Sequence, residues 1–149
     1  MTIGTICNRD VVVAEKHTPI LEAAQLMREH HVGTLVIVED RNQRRVPVGI
    51  LTDRDLGIEV LASGLAQDAV TAGDIMSIDI VTGHENDSIW ATLQHMRGKG
   101  IRRLPVVDQQ DCLVGILTMD DLLELLAAEL VDLSKIISRE QDKEKVGRK

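Results

Sequence analysis

Two segments share residue types and spacing suited to holding an anion beside a sugar: Gly49-Ile50-Leu51-Thr52-Asp53-Arg54-Asp55-Leu56 and Gly115-Ile116-Leu117-Thr118-Met119-Asp120-Asp121-Leu122. In each, an apolar strand-like run ends at a Thr, and a carboxylate follows three residues later where a helix opens. Such a turn offers backbone N–H groups and the Thr hydroxyl to an anion, and the Asp can accept hydrogen bonds from ribose hydroxyls. The same residues also have a purely structural use. A Thr that caps a helix, with an acid at the third helical position, is a capping box with Asp in place of Glu or Gln. Capping alone accounts for one copy; two copies with matching Gly, Thr and Asp add weight to binding.

The elements that position these turns form an internal repeat. A shift of 69 residues lays Ile6 to Val13 over Ile75 to Thr82, Ile20 over Ile89, Met27-Arg28 over Met96-Arg97, and Leu35 to Val38 over Leu104 to Val107. Beyond that the shift falls to 66, carrying Val48-Gly49-Ile50-Leu51-Thr52 onto Val114-Gly115-Ile116-Leu117-Thr118. The three extra residues of the first copy fall in the polar turn Asp40 to Arg45, where an insertion is tolerated. Each copy reads as β-α-β-β-α. A β-branched run (Val11 to Val13, Ile80 to Thr82) precedes a helix, with Ile20, Ala23, Ala24 and Met27, or Ile89, Leu93 and Met96, on one face. The apolar runs Leu35 to Val38 and Leu104 to Val107 suit strands buried on both faces. Pro105 argues against the second of these, but its repeat partner is Val36.

The expected organisation is residues 1–68 as the first repeat with its connector, 69–137 as the second with an extended C-terminal helix, and 138–149 as a charged tail without stable structure. The connector, Ala62-Ser63-Gly64 to Ala72-Gly73-Asp74, is rich in small residues, and Leu122, Leu126, Leu130, Leu133 and Ile137 continue a helical stripe past the repeat.

Composition narrows the function. The chain is 149 residues long, 44% hydrophobic, and carries a formal charge of -7. A chain of that size buries roughly 68% of its unfolded surface, and with no Tyr, no Phe and one Trp, Trp90, its core must be aliphatic. The aromatic platforms of single-strand binders are missing, and the acidic balance opposes a broad phosphate-backbone surface; no nucleic acid is expected. Cys7 and Cys112 form no Cys-x-x-Cys pair and read as reduced thiols. No basic region followed by an apolar run suggests a signal peptide. No stretch approaches the ~20 apolar residues of a membrane span. A cytoplasmic protein without membrane contact is expected.

The chain resembles a tandem pair of cystathionine β-synthase (CBS) domains, the Bateman module of the small stand-alone bacterial or archaeal type. The resemblance runs from about Thr5 to Ala128 and rests on the two Gly-Ile-Leu-Thr-x-x-Asp segments, on Gly100-Ile101-Arg102-Arg103-Leu104-Pro105-Val106-Val107, and on their spacing. It implies an α/β (α+β) fold of two pseudo-symmetric repeats packed through their sheets. Two clefts would bind adenosine-containing ligands such as AMP, ADP, ATP, NAD or S-adenosylmethionine. It further implies a homodimer and a regulatory role such as energy sensing, exercised on an effector protein that the sequence does not identify. No cofactor is required beyond an adenine nucleotide as regulatory ligand, and no catalysis is expected.

Carried over position by position, the resemblance places Ile50, Thr52, Asp55, Ile80, Ile101, Arg102 and Arg103 in a first cleft. A second takes Val11, Val32, Gly33, Thr34, Ile116, Thr118 and Asp121. Asp55 and Asp121 match the ribose-binding acid, and Arg102 and Arg103 the basic pair that reaches phosphates, for which guanidinium forks are suited. Gly33 and Thr34 bring no charge, so the first cleft should take the more anionic ligand. Arg44, Arg45 and Arg54 are the residues that could compensate in the second; as solvated surface charges they would not. Without Phe or Tyr, adenine would lie between aliphatic walls such as Ile50, Ile80 and Ile101, held by dispersion and backbone hydrogen bonds.

Other residues read more plainly. His17, His30, His31, His84 and His95 lack ligand spacing and read as surface or partly packed side chains, so no metal is expected. No nucleophile elbow, phosphate-binding Gly-rich loop or dinucleotide fingerprint is present. The rival to a ligand sensor is a structural dimerisation module with vestigial clefts. The stripe after Leu122 packs on its own module or on a second copy or effector, and its length favours contact with a second copy.

Overall fold

The structure, a computed structural model, describes residues 1–148; Lys149, the last residue of the expected tail, lies outside them. The first repeat comprises β1 (Val13–Glu15), α1 (Ile20–His30), β2 (Thr34–Arg41), β3 (Arg44–Thr52) and α2 (Asp53–Asp55), which widens into a π-helical turn over Leu56–Leu61. A short helix α3 (Ala72–Ile75) leads to β4 (Gly83–His84), α4 (Ile89–Lys99), β5 (Arg103–Val107), β6 (Leu113–Thr118) and α5 (Met119–Gly147). The strands form two three-stranded sheets, β1-β2-β3 and β4-β5-β6. β1 runs parallel to β2, and β2 antiparallel to β3, with Thr34 opposite Thr52 and Arg41 opposite Arg44. The chain divides into two compact units, Met1–Leu117 and the residues from Thr118 onward, each described by itself.

Packing follows the apolar periodicity. In the first repeat Ile20, Ala23 and Met27 of α1 join Leu35, Ile37 and Leu51 in one buried cluster, each large side chain contributing about 1.5–3 kcal/mol by leaving water. In α4 the buried face is Ile89, Thr92 and Met96, with Leu93 only half-buried; Thr92 satisfies its hydroxyl by donating to the Ser88 carbonyl at 2.9 Å. Ser88 caps α4 by accepting from the Ala91 N–H, whereas Pro19 opens α1 without a side-chain cap. His31 (φ 54°) and its repeat mate Gly100 (φ 66°) end the two helices in the left-handed region. His31 is thus outside the helix that His30 ends.

The first strand of each repeat starts later than the β-branched runs suggest: Val11 and Val12, and all of Ile80 to Thr82, precede it. Upstream residues are committed elsewhere. Asn8 and Ile116 exchange two backbone hydrogen bonds of 2.9 Å, and their repeat mates Ser77 and Ile50 do likewise at 2.9 and 3.1 Å. β4 is shorter than β1 because Pro105 lacks the N–H through which its mate, Val36, donates to Val12. Pro105 is nevertheless fully buried within β5.

Those reciprocal bridges belong to a larger exchange. The N-terminal arm pairs with the second repeat: Ile3 donates to the Asp87 carbonyl at 3.0 Å and Gly4 to that of Glu85 at 2.9 Å. The connector arm pairs with the first repeat: Gly73 donates to Lys16 at 2.8 Å and Ala72 to Thr18 at 2.8 Å. Each repeat therefore lends its leading segment to the other, so residues 1–8 dock beside β4 and β6. Glycine is needed at the contact, since a Cβ on Gly73 would stand 2.9 Å from the Lys16 carbonyl oxygen. Gly73→Val is expected to destabilise the protein by about 1–3 kcal/mol through overpacking, read as a lower urea midpoint at unchanged slope.

The turn between β5 and β6 carries the same logic at a carboxylate. Asp108 Oδ1 accepts from the N–H groups of Cys112 at 3.0 Å and Gln110 at 2.9 Å. The Cys112 bond above all, with that of Gln110 and the charge of Arg44, holds the Asp108 carboxyl below its ordinary 3.8. The stabilisation is complete above pH 3.8 and fades as pH falls through the lower folded value. The gap in unfolding midpoint between wild type and Asp108→Ala should therefore be constant near neutrality and close on acidification.

The segment from Ser138 onward differs from expectation: α5 continues through it to Gly147. Alternating acids and bases at helical spacing, such as Lys135 with Asp132 at 3.8 Å and Arg148 with Glu144 at 3.9 Å, favour that continuation.

Candidate functional site

β3 ends at Thr52, whose extended backbone turns directly into α2. The Asp55 N–H donates to Thr52 Oγ1 at 3.2 Å, and the Thr52 N–H donates to Asp55 Oδ2 at 2.9 Å. Thr118 and Asp121 repeat both contacts at 3.2 and 2.9 Å at the start of α5. Both capping boxes are complete, and Asp55 Oδ1 takes no part in the first. A third, not singled out in the sequence, joins Thr71 and Asp74, whose Oδ2 accepts from the Thr71 N–H at 2.9 Å. Thr-x-x-Asp in this chain thus caps helices in its own right, and any binding role rests on what surrounds the turn.

Around Thr52 the surroundings come from both repeats. Ile50 is tied through its backbone to Ser77 of the other repeat, and Ile80, three residues further on, is half-buried. From the other side Arg103, the first residue of β5, donates from Nη1 to Thr34 Oγ1. Thr34 is paired with Thr52 across β2 and β3, so the Arg103 guanidinium reaches the strand ends that carry the turn. Arg103 and Thr34 are repeat mates, and their contact brings together a residue assigned to the first cleft and one assigned to the second. Arg102 is exposed and Ile101 half-buried. Two cross-repeat links, Ile50 with Ser77 and Arg103 with Thr34, therefore reach the strands that end at the Thr52 turn, with Arg103 engaged and Arg102 exposed.

The second set divides between the two compact units. In the first unit, Val11 and Val32 line an open depression of about 550 Å³ with Asp10, Leu26 and His30, and Ile116 is bridged to Asn8. Thr118 and Asp121 stand in the second unit as the capping pair. Gly33 shows a feature the sequence reading missed. The Asp53 N–H donates to its carbonyl at 2.9 Å, and Asp53 Oδ2 is 2.8 Å from where a Cβ on Gly33 would lie. Where the other repeat has Arg102, this one has a carboxylate. The second motif has Met119 in the place of Asp53, so this carboxylate belongs to one repeat only.

Arg44 and Arg45 open β3. They lie at the opposite end of β3 from Thr52, about 23–26 Å away at strand rise. Arg54 is exposed on α2. No group of three His, Cys, Asp or Glu converges as a metal site among the described residues, and no helix among them is long and apolar enough to cross a membrane.

The profile of the CBS domain matches residues 3–57 and 72–128. The chain belongs to the CBS domain family. The two matched spans bracket the two motifs and the Arg102-Arg103 pair. The CBS domain-containing protein YhcV of Bacillus subtilis is 40% identical over 113 residues, 75% of this chain and 76% of that protein. An uncharacterized protein of Methanopyrus kandleri, MK0525, is 40% identical over 125 residues, 84% of this chain; the match spans only 62% of that protein's length. Among solved structures, the CBS domain pair of protein MJ0100 in complex with 5'-methylthioadenosine and S-adenosyl-L-methionine superposes with a TM-score of 0.74 at 27% identity, covering 87% of this chain and 98% of that one.

Proposed function

We propose that the chain is a regulatory CBS pair that binds an adenosine-containing ligand at the Thr52 turn and passes its occupancy to a partner protein. The observation that carries this reading is the convergence of the Ile50–Asp55 turn with Arg103 from the other repeat. Adenine would lie against the aliphatic side chains of Ile50, Ile80 and Ile101. Asp55 would accept from the ribose hydroxyls, and Arg102 and Arg103 would meet phosphate. A related pair in complex with two adenosine compounds supports the ligand class. Arg103 favours the anionic members, AMP, ADP, ATP or NAD, over S-adenosylmethionine. To regulate, the ligand must bind one arrangement of the repeats more tightly than another. Arg103 supplies such a difference, since it exchanges Thr34 for phosphate when the site fills.

The second site is the weaker by this reading, because its residues Gly33 and Thr34 bring no charge where the first set has Arg102 and Arg103. The capping role of Thr52–Asp55 and Thr118–Asp121, shared with Thr71–Asp74, favours the alternative, a structural module with vestigial clefts. A thermal-shift screen with AMP, ADP, ATP, NAD and S-adenosylmethionine separates the two. Ligand at 100 times its dissociation constant stabilises by about 2.7 kcal/mol, a shift of several degrees for a domain of this size. A flat response to all five favours the structural module.

A further inference from the structure

We infer that the two ligand sites share one guanidinium, that of Arg103, so that an anion bound at the Thr52 turn weakens anion binding at the second turn, and the reverse. This coupling rests on the binding role proposed above for the Thr52 turn. Its origin is the way the two repeats meet. Asn8 pairs with Ile116, and their repeat mates Ser77 and Ile50 pair with each other. The Ile3 N–H donates to the Asp87 carbonyl, and their mates Ala72 and Thr18 return the same bond. Gly4 with Glu85 and Gly73 with Lys16 do likewise. Each contact being returned by the mates is the mark of an isologous, two-fold pairing. In such a pairing a residue that touches its own mate lies at the axis, and Arg103 touches its mate Thr34.

The axis therefore offers one cation to two turns. Thr34 stands opposite Thr52 across β2 and β3, so Arg103 reaches the first turn from the other repeat. Arg103 also opens β5, whose neighbour in the sheet, β6, leads into the second motif. Two identical halves would each bring an arginine here, but the first repeat has Gly33-Thr34 where the second has Arg102-Arg103. Arg102 is exposed and makes no hydrogen bond or ion pair among the described residues, so nothing holds it at the axis. The second motif adds Asp120 and Asp121 and no cation, whereas the first contains Arg54. An anion at the Thr52 turn draws Arg103 away from Thr34 and leaves the second turn with carboxylates alone. A neutral ligand makes no such demand. Coupling of this kind is reciprocal and typically about 5- to 150-fold.

Amide NMR titration of the 15N-labelled full-length chain reads both turns at once, at Ile50 to Asp55 and at Ile116 to Asp121. Asp55→Asn, which disables the first turn, should lower the AMP concentration that half-saturates the second turn by about fivefold or more, the low end of such coupling, because Arg103 is no longer taken. With neutral adenosine the same substitution should leave the second turn's midpoint unchanged. Thr34→Arg installs the residue that the mate position already carries. By giving each turn its own cation it should abolish the gain that Asp55→Asn produces with AMP. An AMP midpoint at the second turn that Asp55→Asn leaves unchanged, a second turn that never responds to AMP, or two AMP bound per wild-type chain with equal affinity would each overturn the coupling. If neither adenosine nor AMP shifts either turn, the binding role of the Thr52 turn itself fails, and the coupling with it.

Discussion

Ile3→Ala is expected to cost about 2–5 kcal/mol of stability, the range for truncating a large buried aliphatic side chain. A third residue from a chain start usually tolerates change. Ile3 is fully buried, and its Cδ1 lies 2.7 Å from where a Cβ on Gly83 would stand, so it fills space that β4 leaves open. Its N–H donates to the Asp87 carbonyl, and its own carbonyl accepts from Ile6 and Cys7. The repeat mate is the small Ala72, equally buried. The two arms thus occupy equivalent places with unequal side chains, and the second half depends on Ile3 for packing that the first obtains elsewhere. Urea unfolding followed by circular dichroism reads the effect. A loss below about 1 kcal/mol would mean that the N-terminal arm does not form part of the second half's core, and Ile3→Val, at about 0.5–1.5 kcal/mol, gives the graded control.

The arm exchange was written in the sequence but easy to pass over. Thr2-Ile3-Gly4 and Thr71-Ala72-Gly73 match at the same 69-residue shift as the strands, yet three residues are too few to stand out beside the longer matches. The β-α-β-β-α order, the capping turns and the buried runs were legible because each rests on local periodicity or turn chemistry. Strand starts were not: where β1 and β4 begin depends on which backbone groups Asn8 and Ser77 have already used, and on a donor that Pro105 lacks. The Asp53–Gly33 contact was also hidden, since it joins residues 20 apart through a turn whose geometry the motif does not encode. Arg103 was legible as a cation, but not its engagement with its own repeat mate.

Asp55→Asn is expected to weaken binding of AMP or ATP by roughly 10- to 150-fold, the equivalent of about 1.5–3 kcal/mol for hydrogen bonds to a charged acceptor. The substitution separates the two uses of the carboxyl. The amide oxygen of Asn can still accept from the Thr52 N–H, so the capping box at the start of α2 survives and stability should change by less than about 1 kcal/mol. Towards the ribose, however, the acceptor Oδ1 is replaced by a donor. Titration calorimetry reads the affinity and thermal unfolding reads the fold. Asp121→Asn should have the smaller effect on an anionic ligand, because the residues assigned with it, Gly33 and Thr34, bring no charge where the first set has Arg102 and Arg103. Equal losses from both changes would contradict the asymmetry.

One adenosine ligand is expected where Arg103 meets the Thr52 turn. The most direct measurement is an amide NMR titration of the 15N-labelled chain with AMP. Shift changes should be largest at Ile50 to Asp55, at Ile80, at Ile101 to Arg103 and at Thr34, which loses its hydrogen bond from Arg103. Saturable changes confined to other surfaces, such as the groove between α1 and the Leu56–Leu61 turn, or no change at millimolar AMP, would contradict it.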